Sequence, residues 1–199
     1  MTLSEILTGT QNLVAAIGDS VDDLSVDRTH KNLAAAGCLH ISLEHHASIA
    51  MLTREMHRGS AAALVRPQLE SFLRGAWLHR SASEQAVDAF LKDVSPPSPG
   101  DMIEALEQHD FYKSGSLSAL KAKAWNGLCS YTHAGGLHVT RRLSATEIVQ
   151  NYDEEELIEM LELSNLVALI ATCEIAEIAR NDSICSPIYA AYRAIQGHP

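Results

Sequence analysis

Aromatic residues are scarce in this chain, at 5% of its composition, and the alternating Val/Thr/Tyr-rich runs that mark half-buried strands are missing. Both absences argue against a sheet-based fold. No run approaches the roughly 20 apolar residues that span a bilayer, since even the long apolar segment near the C-terminus is interrupted by Asn165 and Glu174. Met1 to Leu24 carries Glu5, Asp19, Asp22 and Asp23, and it lacks the basic start and unbroken apolar stretch of a signal peptide. The four cysteines, Cys38, Cys129, Cys173 and Cys185, form no CxxC pair. Reduced, mostly buried thiols are expected rather than a disulfide framework or a zinc site. A cytoplasmic protein without membrane partners fits these absences. Positive charge is also in deficit: 15 Lys and Arg face 25 Asp and Glu, a formal net charge of −10. That field repels phosphodiester backbones, so an RNA partner is disfavoured and would need a local basic patch.

What is present is 46% hydrophobic residues in a 199-residue chain, mostly Ala, Leu and Ile, enough for one core without disulfides or structural metal. The expected fold is all-α, a single-domain, up-and-down-like bundle of about six to eight helices over residues 1–199.

The helical reading places a first helix at Ser4 to Leu24 and a second from an N-cap at Asp27 to a break at Gly59. In the second, Cys38, Ile41, His45, Ile49, Leu52 and Met56 recur at helical spacing and predict a packing seam with His45 buried. Ser60 is the expected cap of a third helix ending near His79, kinked by Pro67. A helix at Ser83 to Asp93 precedes the proline-rich corner Ser95 to Gly100, and shorter helices follow at Asp101 to His109 and Ser118 to His133. The last is stopped by Gly135 and Gly136. Asp153 with Glu156 resembles a capping box that opens a long helix with the seam Leu157, Leu161, Ser164, Ala168, Ala171, Ile175 and Ile178. Ser186-Pro187 starts a final helix, stopped by Gly197.

Two segments can carry chemistry. Arg66, Glu70 and Arg74 lie in one sector of the third helix, with Trp77 returning to nearly the phase of Arg66. Glu70 then neutralises the arginines within a structural network, or the guanidiniums present spare donors to an anion with Trp77 as a stacking wall. The second segment, Tyr131 to His138 followed by Arg141 and Arg142, offers a histidine at a helix C-terminus. His133 there is either a general acid or base or an ordinary dipole-favoured helix terminator.

Other chemistries lack their signatures. His40, Glu44, His45 and His46 cluster in sequence, but no Glu-x-x-His or HExxH spacing occurs, so neither metal nor cofactor is expected. There is no nucleophile elbow and no glycine-rich phosphate loop.

The segments Leu43 to His46, Ala62 to Glu70, Arg74 to Leu78, Trp125, Tyr131 to Gly136 and Arg141-Arg142 together resemble a family of uncharacterised bacterial helical domains of about this length. The resemblance covers nearly the whole chain, implies the helical fold, and adds Trp125 to the site positions Arg66, Glu70, Arg74, Trp77, His133 and Gly135. It implies no reaction. A more distant similarity to HEPN helical domains rests on Arg74 followed by His79. It would imply a dimer with a composite RNA-cleaving site of a toxin or phage-defence type, with Arg74, His79 or His133 in catalysis. Gly75 departs from it, standing where those proteins usually carry a polar residue, and the same arginine–histidine spacing recurs by chance at Arg193 to His198.

The expected function is therefore a homodimeric helical protein that binds a small anionic ligand or partner at Arg66, Glu70, Arg74, Trp77, Trp125, His133, Arg141 and Arg142. The alternatives are a metal-independent HEPN-like ribonuclease and a purely structural or dimerisation role.

Overall fold

Capping chemistry decides where most helices begin. In the computed structural model, which describes residues 1–197, the Thr2 hydroxyl accepts from the Glu5 N–H while the Glu5 carboxylate accepts from the Thr2 N–H, opening α1 (Leu3–Val21). Thr29 caps α2 (His30–Arg54), and Ser83 caps α4 (Glu84–Phe90). Ser98 and Asp101 form a second capping box on α5 (Pro99–Leu106), with Pro99 at its first position. The remaining elements are α3 (Arg58–Arg80), α6 (Ser116–Thr132), α7 (Gly136–Thr140), α8 (Glu154–Ala179), a 3₁₀ turn at Asp182–Ile184 and α9 (Cys185–Ile195). Among the described residues there is no strand, only an isolated bridge between Leu143 and Ile148. The all-α class stands, with the five-residue α7 added to the helices expected from the sequence. Among the described residues no helix is long and apolar enough to cross a membrane. His198 lies outside the described residues.

Several boundaries differ from expectation. The second helix is capped by Thr29, not Asp27, and stops at Arg54, where Met56 turns into the left-handed region at φ 63°. The third starts at Arg58 from His57, so Ser60 is not its cap and Gly59 lies inside it. Asp153 makes no side-chain capping bond, and the Glu156 carboxylate is held by Tyr131 and Arg141. All four cysteines are free, but only Cys38 is buried.

Pro67 does not end α3. It has no N–H to offer the Ala63 carbonyl four residues back, and that carbonyl accepts from the Thr132 hydroxyl instead, at 3.2 Å. The same hydroxyl lies 2.9 Å from the Leu128 carbonyl, so α6 shares one proton between its own last turn and α3.

α2 pairs with α3, α8 packs on both, α1 lies against α8 and α9, and α5 and α6 flank α3. One hydrophobic cluster, centred on Phe72, Leu39, Leu73, Leu78 and Leu161, joins these elements. The closest approach falls at Gly75, where a Cβ would stand 2.6 Å from Leu39 Cγ and 3.0 Å from the Ala35 carbonyl oxygen. This glycine lets α3 lie against α2, and the helix runs through it without interruption.

The buried side of α2 is also rotated from the expected seam. Ile41 and Met56 are exposed and His45 is half-buried, while His46 is buried along with Ser42 and Thr53. The true seam steps through Leu39, Ser42, His46, Ile49 and Thr53. Its polar members disguise it, since each is satisfied internally: Thr53 donates to the Ile49 carbonyl and Ser42 to the Gln68 carbonyl.

His46 belongs to a buried polar junction. Gln68 Nε2 donates to the Ser164 carbonyl at 2.9 Å, and the Ser164 hydroxyl donates to Gln68 Oε1 at 2.7 Å. The hydroxyl proton being committed, His46 Nδ1 must donate to Ser164 Oγ, 3.0 Å away, which leaves Nε2 unprotonated and without a partner. Burial lowers the His46 pKa to about 4.

Two predictions follow from this packing. Gly75→Ala forces Leu39 aside and should cost about 1–3 kcal/mol in a urea melt, whereas Gly18→Ala, where a Cβ would meet nothing closer than 4.0 Å, should not destabilise. Because the unfolded His46 titrates near 6.5, the unfolded chain binds the extra proton below that pH, and stability falls as pH drops toward 4. The loss should reach about 2 kcal/mol at pH 5 and should be absent from His46→Gln. Parallel stability–pH profiles for the two proteins would contradict this.

Candidate functional site

α3 is lined with charge on the side not occupied by α2, and its groups separate into two networks, while the end of α6 joins α7 and α8 in a third. The first is the expected stripe. Arg66 Nε donates to Glu70 Oε1 at 2.8 Å and Arg74 Nη2 to Glu70 Oε2 at 3.0 Å, an arrangement that the one-turn spacing dictates. α6 then supplies two groups: Arg66 Nη1 lies 2.7 Å from His133 Nε2, and the Arg66 guanidinium carbon stands 5.2 Å from the Trp125 ring centroid. A guanidinium cannot accept, so His133 Nε2 accepts and its proton sits on Nδ1. Arg66, Glu70, Arg74, Trp125 and His133 thus converge as the sequence suggested.

Trp77 does not join them. Its helical phase matches that of Arg66, but the 11-residue separation carries it about 16 Å along the axis, where it is buried in the core at 8% exposure. Trp125 stands at the arginine in its place.

The helix stop at the end of α6 also differs in detail. The left-handed residue is Ala134, at φ 51°, while Gly135 has an ordinary φ of −69°. Gly135 is required for another reason: a Cβ would stand 2.6 Å from Ser130 Oγ and 3.0 Å from Ser130 Cα. The Ser130 hydroxyl in turn accepts from the Leu137 N–H at the start of α7.

α7 carries Arg141 and Arg142 away from the stripe. Arg141 Nε donates to Glu156 Oε2 at 2.7 Å, and the other oxygen of Glu156 accepts from the Tyr131 hydroxyl. His138 Nδ1 donates to the Tyr131 carbonyl at 2.7 Å, and Arg142 packs over Tyr152, 5.9 Å from its centroid. Burial, with Glu159 nearby, raises the Glu156 pKa, opposed by a backbone hydrogen bond from Asp153. Arg142, Tyr152 and His138 crowd Gly59, where a Cβ would meet all three within 2.8 Å. This third network closes over the first turn of α3, and its arginines hold partners other than those of Arg66 and Arg74.

The remaining network, at the C-terminal end of α3, escaped the sequence reading. Glu174 of α8 is wholly buried and accepts from Arg80 Nε at 2.6 Å, from His79 Nδ1 at 2.8 Å and from the Tyr112 hydroxyl. Arg80 also holds Glu177 and lies over the rings of Phe111 and Tyr112. Burial alone would raise the Glu174 pKa, but the bonds from His79, Arg80 and Tyr112 outweigh it and hold the carboxyl below its usual range. Burial and the adjacent carboxylate push the Tyr112 phenol up. The available signal was Glu174 itself, an acid in register with Ala171 and Ile178 on the apolar seam of α8, where an unpaired charge cannot stay.

The pairing of Arg74 with His79, on which the HEPN similarity rests, does not form within the chain. α3 is unbroken through Gly75, so the two side chains diverge by about 140° and hold different carboxylates, Glu70 and Glu174. His40 and Glu44 are exposed on one side of α2, whereas His45 is half-buried and His46 buried, so the four side chains do not converge on one point.

Two recesses lie near the stripe. A groove of about 530 Å³ between α3, α6, α8 and α9 is lined by Val65, Leu128, Tyr131, Leu157 and Leu163, with Glu156, Glu159 and Glu162 at its edge, and contains none of the stripe residues. A smaller one of about 350 Å³ includes Arg74 and Ser71 with Cys38, Ile41, Phe90 and Val94.

Removing one partner of a buried ion pair leaves the other charge uncompensated, so Glu174→Gln should destabilise by about 3–5 kcal/mol in a urea melt. Glu177→Gln, at a half-exposed carboxylate, should change stability by under about 0.5 kcal/mol. Equal effects at both positions would show that Glu174 does not anchor the network.

No curated protein and no solved structure matches the chain. A family model described as a family of unknown function, DUF6988, matches residues 39–198, a span that leaves out α1 and the first part of α2 but includes every residue of the three networks. The chain belongs to this family.

Proposed function

We propose that the protein is a helical binding module that takes a small anionic ligand at Arg66, Arg74, Trp125 and His133. The observation that carries this reading is a surplus of donors. One carboxylate, Glu70, serves two guanidiniums, leaving the trio with a net positive charge in a chain of net charge −10. Among the described residues only Arg66 Nε, Arg66 Nη1 and Arg74 Nη2 hold protein acceptors, so both guanidiniums keep N–H groups for an anion. All three side chains of the trio are partly exposed, and Arg74 borders a groove that can admit a ligand.

Glu70 holds both arginines in place before any ligand arrives, which reduces the ordering cost of binding. Trp125 offers a flat apolar wall beside Arg66 and favours a ligand with a planar part. The ribonuclease reading is weaker, because within one chain α3 keeps Arg74 and His79 apart on different carboxylates, and a composite site would need a second copy to bring them together. A purely structural role for the stripe predicts that Glu70→Gln changes stability and nothing else.

The test is a titration of the full chain with inorganic phosphate, citrate and adenosine monophosphate, followed by Trp fluorescence and melting temperature against a chloride control. At least one anion should saturate in the millimolar range, and Arg66→Gln or Arg74→Gln should weaken it by about tenfold or more, as expected for loss of a charge-assisted hydrogen bond. If none of the three anions at about 10 mM shifts either signal beyond chloride, the reading fails.

A further inference from the structure

The outer side of α2 has an unusual composition for a solvent-facing helix. From Asn32 to Thr53 the only formally charged residue is Glu44, in a chain where charged residues make up 20%. At about 100° per residue, Leu33, Gly37, His40, Ile41, Glu44 and Met51 share one sector of the helix about 100° wide, and all six are exposed. Leu33, Ile41 and Met51 stand 48%, 48% and 52% exposed. The opposite side of α2 is buried against α3 and α8. A surface helix ordinarily turns its charges outward, whereas this one is apolar on both sides. Next to Ile41 the face runs on into the groove of about 350 Å³ that it shares with Phe90 and the exposed Val94.

We infer that a second copy of this chain covers this face, with the two α2 helices packed antiparallel about a two-fold axis level with residue 42. The face is self-complementary in that register and in no parallel one. Residues equidistant from 42 meet across the axis, so Leu33 lies against Met51 of the second copy, His40 against its Glu44, and Ile41 beside its own image. A two-fold axis makes each of these contacts twice. The only charge on the face is therefore placed where the second copy brings a hydrogen-bond donor. A parallel arrangement would set Glu44 against Glu44, burying two like charges together. Gly37 faces open space, with nothing within 4 Å of where a Cβ would stand, which lets the second helix approach closely. The pairing also brings the second copy to the groove that Arg74 borders, although its test does not depend on any ligand there.

Sedimentation velocity on the full chain at about 50 µM, a concentration that populates dimers of micromolar affinity, tests the proposal. The wild type should sediment at twice the 21.6 kDa mass of one chain. Ile41→Glu, at an already exposed position that leaves folding intact, should weaken the dimer by about a hundredfold or more, since it buries a charge at the axis. Leu143→Glu, at a residue 48% exposed elsewhere on the molecule, should leave the dimer unchanged. His40→Glu should weaken it by setting carboxylates against each other, and adding Glu44→His should restore it by exchanging the pair. A monomeric wild type would overturn the proposal and leave the face to a different protein. An I41E dimer, or a failure of E44H to rescue H40E, would overturn it as well.

Discussion

Gln68 is hydrogen-bonded on three sides in a place that solvent does not reach, and the arrangement of α2, α3 and α8 depends on it. Its backbone carbonyl accepts from Ser42 of α2, while its amide exchanges two bonds with the backbone and side chain of Ser164 on α8. Sliding any of the three helices by one residue would leave buried polar groups without partners, at a cost of about 1–3 kcal/mol each. Apolar packing alone tolerates small shifts far better. The junction therefore sets the register of α3, and α3 carries Arg66, Glu70, Arg74, His79 and Arg80. The partly exposed networks inherit their geometry from a buried one with no charge in it.

Among the described residues the carboxylate that reaches the interior has its partners assured. Glu174 sits at zero exposure because Arg80, His79 and Tyr112 all reach it. His46, buried without any charged neighbour, stays neutral. Elsewhere the excess acid is placed where it is tolerated, as with Glu154, Glu155 and Glu156 in the first turn of α8, near the positive end of its dipole. Arg58, Arg66, Arg74 and Arg80 on α3, with Arg141 and Arg142 at the α6–α8 junction, give the molecule local positive sites within a negative field.

Much of this was legible in the sequence, and the exceptions share a cause. Periodicity found the seam of α8 from Leu157 to Ile178, and one-turn spacing found the clasp of Glu70 between two arginines. Periodicity failed on α2, where it followed apolar side chains through Ile41 and His45, because the buried face there uses Ser42, His46 and Thr53, whose polarity is cancelled by partners remote in sequence. It failed again on Trp77, since angular phase ignores the rise along the axis. The Glu174 network was signalled only by an acid on an apolar seam, and its partners were hidden for the same reason as the first failure. Its members, at 79, 80, 112 and 174, meet only after α3 and α8 have packed. Two glycines misled as well, because Gly59 and Gly135 were read as a break and a stop, yet each, like Gly75, marks a crowded contact where a Cβ has no room.

Pro67 and Thr132 have a consequence for how such a chain can change over time. The proline removes a donor from α3, and the hydroxyl on α6 stands in for it. An alanine at 67 would restore the helix's own bond and release Thr132 from its second duty, while loss of the hydroxyl with the proline retained would strand the Ala63 carbonyl. The order of substitution is therefore not free: the donor can be surrendered on α6 only after it has been regained on α3. The two positions form a ratchet between segments 65 residues apart, one that keeps the His133 end of α6 docked beside Arg66 while the sequence around it drifts.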